Sequence, residues 1–150
     1  MAILIALFLT ISMSASVFLQ PYASAHTPGW TIISYPYLVA SPNPVGVGQT
    51  VAVVMWIDGP VLGASLTNDI RRHDYTLTIT APDGQITSQH WAVVSDSTSI
   101  QNTQFTPNEV GNYTLKFDYP SQNYTWTSTT VGANTQYTGD MYTAASKTIT

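Results

Sequence analysis

The strongest constraint on the fold is a two-residue alternation of apolar and polar side chains. Tyr75, Leu77 and Ile79 are separated by threonines, and the segment 113–119 repeats this spacing with Tyr, Leu, Phe and Tyr. Because successive side chains of a β-strand point to opposite faces, the spacing predicts two strands that each have one buried face. Threonine and aromatic residues also favour the extended backbone. The chain therefore has to fold around a sheet.

Further strands are predicted where short apolar segments lie between turn residues. The segment 49–57 differs from the others because apolar residues occupy both of its faces. This pattern predicts a strand that is covered on both sides, or one whose second face contacts a loop or a partner. Several short strands separated by Gly and Pro turns indicate an all-β sandwich or barrel. The other predicted strands are 35–40, 90–94, 99–105 and 147–150.

Two connections are predicted to be long loops, and long loops are often functional. The first, 59–74, carries much of the charge of the chain, and the second, 120–146, is rich in Thr, Asn and Tyr. The strand that begins at Lys147 is either short or continues in a longer natural chain.

The N-terminal segment has the pattern of a secretory signal peptide. No charged side chain occurs from Met1 to Leu19, Pro21 then ends the helical pattern, and Ala23 and Ala25 fit the small-residue rule for cleavage. We therefore expect a signal peptide at 1–25 and one domain at 26–150, which places the protein outside the cell or on its surface. The alternative is an uncleaved apolar helix that holds the chain at the membrane.

Composition narrows the classes of function. The chain has no cysteine, which excludes thiol catalysis and thiolate metal sites. Four basic residues and a net charge of −4 argue against nucleic acid, which is bound through basic patches. Charged residues make up only 8% of the chain, whereas 44% is hydrophobic, so a packed core with an uncharged polar surface is expected.

Three segments together resemble a known class of domain. They are 42–51 (PNPVGVGQTV), 80–84 (TAPDG) and 106–114 (TPNEVGNYT). They are similar to immunoglobulin-like modules of prokaryotic surface proteins, above all to those at the N-termini of large secreted archaeal proteins. The resemblance implies an antiparallel Ig-like β-sandwich, in which Tyr113 forms a tyrosine corner with the upstream backbone.

The resemblance implies little about activity, since this sandwich serves many functions. We expect a non-catalytic structural or interaction module without a cofactor, which acts in adhesion or surface assembly. Its partners would be other proteins or copies of itself, bound through loops and unpaired sheet edges.

A second hypothesis is copper binding. Cleavage after Ala25 would make His26 the first residue, with an α-amine and an imidazole that can chelate one metal ion. One more imidazole, from His73 or His90, would complete a three-nitrogen set that favours Cu(II). Such a set resembles the histidine brace of copper-dependent polysaccharide monooxygenases and the site of periplasmic copper carriers.

A third hypothesis is carbohydrate binding by exposed aromatic rings. The candidates lie in the predicted C-terminal loop and are Tyr124, Trp126, Tyr137 and Tyr142. Asn112 and Asn123 each begin an N-x-Thr sequon, so both are candidate glycosylation sites. Asn112 is expected to point outward from its strand, and Asn123 to lie in the loop.

Overall fold

The structure, a computed structural model, describes residues 29–128 and 135–150, except for the side chains of 125–128 and 135–138. The predicted signal peptide and His26 lie outside these residues. Everything described is strand, turn or irregular chain, and none of it forms a helix that could span a membrane. In chain order the strands are β1 (Thr31–Ile32), β2 (Pro36–Ser41), β3 (Val51–Ile57), β4 (His73–Thr80), β5 (Ile86–Val93), β6 (Ile100–Phe105), β7 (Thr114–Tyr119), β8 (Gln122–Ser128), β9 (Thr135–Tyr142) and β10 (Ala145–Ile149).

The strands form two antiparallel sheets and a smaller third one. One sheet has the order β2-β3-β6, and the other has the order β10-β7-β4-β5. The third sheet is the β8–β9 hairpin, to which β1 adds in parallel through Thr31 and Ile32. β10 pairs with β7 and also contacts β2, so the two main sheets meet along that side.

One hydrophobic core lies between the two main sheets, as in a β-sandwich. The predicted alternation produces it, because every second residue of β3, β4 and β7 is buried. Burial of each large apolar side chain contributes roughly 1.5–3 kcal/mol. The core residues of these three strands are Val51, Val53, Met55, Ile57, Tyr75, Leu77, Ile79, Leu115, Phe117 and Tyr119.

The second apolar face of β3 is partly covered by its neighbour β2. Trp56 stacks on Tyr37 with ring centroids 4.9 Å apart and planes 5° apart, and Val54 lies opposite Val39 in the register. Tyr37 and Val39 remain exposed themselves. The outer face of this sheet therefore keeps an apolar patch.

The prediction of one long loop at 120–146 is wrong. Most of that segment belongs to β8, β9 and the start of β10. The hairpin forms because Tyr124 and Tyr142 turn inward and pack edge to face, with ring centroids 5.4 Å apart. Two smaller corrections concern β5, which begins at Ile86 rather than His90, and the loop after β3, which ends before His73.

Candidate functional site

The copper hypothesis joins His26 to His73 or His90 and stays a prediction, because His26 lies outside the described residues. The two histidines that the structure describes lie apart from each other. His73 begins β4, and its Nδ1 lies 3.1 Å from the carbonyl oxygen of Ala92. His90 is on β5 and pairs with Thr76 of β4. Thr76 is three residues after His73, so the two histidines are offset by about 10 Å along the strand direction. Within 29–128 and 135–150, no group of three His, Asp or Glu side chains could hold a metal ion.

His90 has a carboxylate partner on the exposed face of its sheet. Its Nε2 lies 3.2 Å from Oδ1 of Asp74, and each side chain is about half exposed, at 53% and 54%. Asp118 and Thr76 border the same shallow groove. Exposed pairs of this kind contribute little to stability.

Tyr113 lies directly before β7 and fastens the turn that precedes it. Its hydroxyl accepts hydrogen bonds from the backbone N–H groups of Asn108 (3.1 Å) and Glu109 (3.3 Å), and donates one to Asn108 Oδ1 at 2.8 Å. Its ring packs on Phe105. The hydroxyl thus bonds to the upstream backbone, as in the corner that the resemblance implies.

The turn before Tyr113 is fixed to a second turn between β4 and β5. Glu109 Oε1 accepts a hydrogen bond from the backbone N–H of Asp83 at 3.1 Å. Gly111 approaches Pro82 so closely that a Cβ atom would lie 2.5 Å from the proline ring. The Glu109 carboxylate therefore has a structural role, because it joins the two turns. Beside them is an apolar cleft of about 310 Å³, lined by Val45, Val47, Phe105 and Ile149 among others.

Arg72, which sequence reasoning left among the loop charges, is buried at the opposite end of the sandwich with 1% exposure. It donates from Nε to Ser99 Oγ (3.1 Å), from Nη1 to Tyr119 Oη (2.8 Å) and from Nη2 to the Gly59 carbonyl (3.1 Å). Its guanidinium also lies 4.6 Å from the ring centroid of Tyr142. No carboxylate of the described residues pairs with it.

A hydrogen-bonded chain continues from Arg72 into the hairpin. Tyr119 donates to Gln122 Oε1 at 3.3 Å, and the hydroxyl of Tyr124 donates to the same oxygen. Gln122 Nε2 in turn donates to the carbonyl of His73. Burial raises the pKa of the Tyr119 hydroxyl, although the charge of Arg72 acts in the opposite direction. Arg72 and these neighbours therefore join the loop after β3 to β7 and β8.

The aromatic residues predicted to bind carbohydrate divide into two groups. The expectation that Tyr142 is exposed is wrong, since the residue is 3% exposed and its hydroxyl accepts a hydrogen bond from Leu62 N–H at 3.0 Å. Tyr124 is half-buried against it. The side chains of Trp126 and Tyr137 lie outside those described.

Both sequon asparagines are exposed, and they differ in backbone setting. Asn112 lies in the turn before β7 and faces outward, as expected. Asn123 is on β8 opposite Met141, so the prediction that it lies in a loop is wrong.

On the side away from β10 and β2, the two main sheets end in β5 and β6. Their outer edges pair with no strand in the part of the chain that the structure describes. Both edges show large apolar side chains, with Ile86 67%, Val93 51% and Ile100 40% exposed. A hydrogen bond of 2.7 Å from Thr103 Oγ1 to Gln89 Oε1 joins the midpoints of the two strands. At this pair of edges, unpaired backbone groups and exposed apolar side chains occur together.

Compared with known proteins, the chain matches no family model, no curated protein and no solved structure.

Proposed function

We propose that this protein is a secreted, immunoglobulin-like module that acts outside the cell or on its surface by contact with other proteins, without catalysis. The strand order supports an Ig-like arrangement. In chain order, β2, β3 and β6 correspond to strands A, B and E of one sheet, and β4, β7 and β10 to C, F and G of the other. β5 joins C rather than E, and the β8–β9 hairpin is inserted between F and G.

The observation that carries the proposal is the open side formed by β5 and β6. A row of unpaired backbone N–H and C=O groups is a template for another chain, and soluble proteins usually protect such edges with lysine, proline or bulges. Neither lysine nor proline occurs in these two strands, and His90 is their one ionisable side chain. An edge of this kind suits a contact protein.

Surface labelling of intact cells that make the protein tests the proposal. The chain has two lysines, Lys116 and Lys147, and both are exposed on the same sheet, so a membrane-impermeant amine reagent should modify them. Formaldehyde treatment of the same cells should place the protein in complexes larger than one chain. A Lys116→Arg/Lys147→Arg variant is the control for labelling at these side chains. Labelling that occurs only after lysis, or a protein that stays monomeric after cross-linking, would contradict the proposal.

A further inference from the structure

We infer that the partner at this open side is a second copy of the same chain, which pairs β5 with β5 and β6 with β6 about one two-fold axis. The inference rests on the proposed function and deepens it by naming the partner and the strands. It starts from the opposite side, where β10 is bonded to β7 and packs against β2, so that the two main sheets contact each other there. We therefore expect a partner strand to add at β5 and β6, where the two sheets end without such a contact.

The length and regularity of β5 favour strand addition. β5 has eight residues, and its register with β4 runs from Ile86 to Trp91 without a shift. Natural edge strands are commonly short, bulged or charged, which prevents this kind of contact. β5 has none of these protective features within that register. Its outer edge is therefore free to continue the ladder.

The charge of the two strands favours an identical partner. Antiparallel pairing of identical strands about a two-fold axis brings a fixed charge near the axis close to its own copy, which repels it. The segments 86–93 and 100–105 contain no Asp, Glu, Lys or Arg. Identical copies can therefore approach along both strands without repulsion between fixed charges.

The bond between Gln89 and Thr103 locates the axis. A two-fold axis normal to the sheets reverses strand direction and keeps each sheet in its own layer. Because these two residues are the facing midpoints of β5 and β6, one axis beside them centres both pairings. Gln89 then lies opposite Gln89 of the second copy, and Thr103 opposite Thr103.

This register is compatible with the side chains of β5. Thr87, Gln89 and Trp91 share the inner face, since they pair with the buried residues of β4. About the axis, Thr87 lies opposite Trp91 of the second copy, a β-branched and aromatic pair of the kind that stabilises sheets. On the outer face His90 lies opposite Ser88, so two imidazoles do not oppose each other. The result is one continuous sheet of eight strands, with a six-stranded sheet beneath it.

Disulfide trapping in the full chain tests the register. The chain has no cysteine, so Gln89→Cys introduces a single thiol that can cross-link only to another chain. Opposed residues of antiparallel strands have Cα atoms about 4.5–5.5 Å apart, within disulfide range. Oxidised glutathione, the oxidant, should convert Gln89→Cys and Thr103→Cys to covalent dimers. Ser146→Cys, on the exposed face of β10, is the control and should stay monomeric. Equal cross-linking of the control would overturn the inference.

Sedimentation velocity over about a hundredfold range of concentration measures the association itself. The unmodified chain should shift from monomer to dimer. Ser88→Lys combined with Asn102→Lys places a charge on each edge and should raise the dissociation constant at least about tenfold, whereas Ser146→Lys should leave it unchanged. A chain that stays monomeric, or a dimer unaffected by the two lysines, would overturn the inference. If surface labelling and large complexes in cells persist in that case, the proposed function stands with a different partner; labelling only after lysis would remove the proposed function as well.

Discussion

Replacement of Arg72 by methionine measures what the buried guanidinium contributes to stability. Methionine keeps much of the side-chain volume but removes three charge-assisted hydrogen bonds. Bonds to charged groups contribute about 1.5–3 kcal/mol each, and a desolvated contact with an aromatic ring adds about 2 kcal/mol. Against this, burial of a cation without a carboxylate partner costs several kcal/mol. The net loss should be about 3–5 kcal/mol, because the Gly59 carbonyl and the Ser99 hydroxyl lose their donors inside the protein.

Urea unfolding followed by circular dichroism provides the measurement. For a domain of this size the slope is about 2 kcal/mol per molar, so a loss of about 4 kcal/mol lowers the midpoint by roughly 2 M. Arg71→Met is the matched control. Arg71 also donates three hydrogen bonds to carbonyl oxygens, of Ser65, Ile70 and Ser95, but its side chain is partly exposed to water. Its loss should cost about 1 kcal/mol.

An Arg72→Met variant that is as stable as the original chain, or more stable, would refute this reasoning. That result would mean that the cost of burying the charge outweighs its hydrogen bonds, as in other proteins whose buried ions were replaced by apolar residues. Arg72→Lys separates the two contributions. Lysine keeps the charge but cannot serve three acceptors in one plane, so the same large loss is expected.

Three further predictions concern the turn before β7 and the buried hydroxyls. Tyr113→Phe should lower the free energy of unfolding in urea by about 1–2 kcal/mol, because the backbone N–H groups of Asn108 and Glu109 lose the hydroxyl that accepts their hydrogen bonds. An unchanged midpoint would contradict this. Gly111→Ala should lower the free energy of unfolding by about 1–3 kcal/mol more than Gly84→Ala. Both glycines have positive φ, but only at Gly111 would the new Cβ atom clash with the Pro82 ring, so equal losses would contradict the prediction. Burial raises the pKa of three tyrosine hydroxyls in the folded state, whereas unfolded tyrosines ionise near 10, so the contribution of these hydroxyls to stability should hold up to about pH 10 and fall above it. A urea midpoint at about pH 11 that equals the midpoint at about pH 9 would contradict the last prediction, which concerns Tyr75, Tyr119 and Tyr124.

The two-residue alternation was sufficient to predict β3, β4 and β7, because their buried residues are consecutive members of one face. The hairpin shows where that signal was underused. In β8, Tyr124 and Trp126 alternate with threonines much as in β4, but the polar composition of the segment indicated a loop. β9 is harder to predict, since Gly139 and Asp140 interrupt its pattern and Asp140 is buried as the acceptor for the backbone N–H of Trp30.

The position of Arg72 could not be predicted from the sequence. It stands in a charged segment with Arg71 beside it, and such a segment usually lies in solvent. Its partners come from separate parts of the chain: Gly59 from the loop after β3, Ser99 from the turn before β6, and Tyr119 from the end of β7. No local pattern encodes that convergence, because tertiary packing brings the three oxygens together. The separation of His73 from His90 likewise depends on strand register, which their spacing in the sequence leaves open.

The distribution of closing contacts around the sandwich accounts for where the proposed interface lies. One end is fastened by Tyr113 and Glu109, and the other by Arg72 with its tyrosines. On one side β10 packs against β2. A domain that lacks disulfides has to obtain its stability from such contacts, and here they cover both ends and one side. On the remaining side, the bond of Thr103 to Gln89 links the two strand midpoints while leaving the outer edges unpaired. Charges on β5 and β6 would cost the monomer little stability, so Ser88→Lys with Asn102→Lys tests the contact along that side and not the folding of the domain.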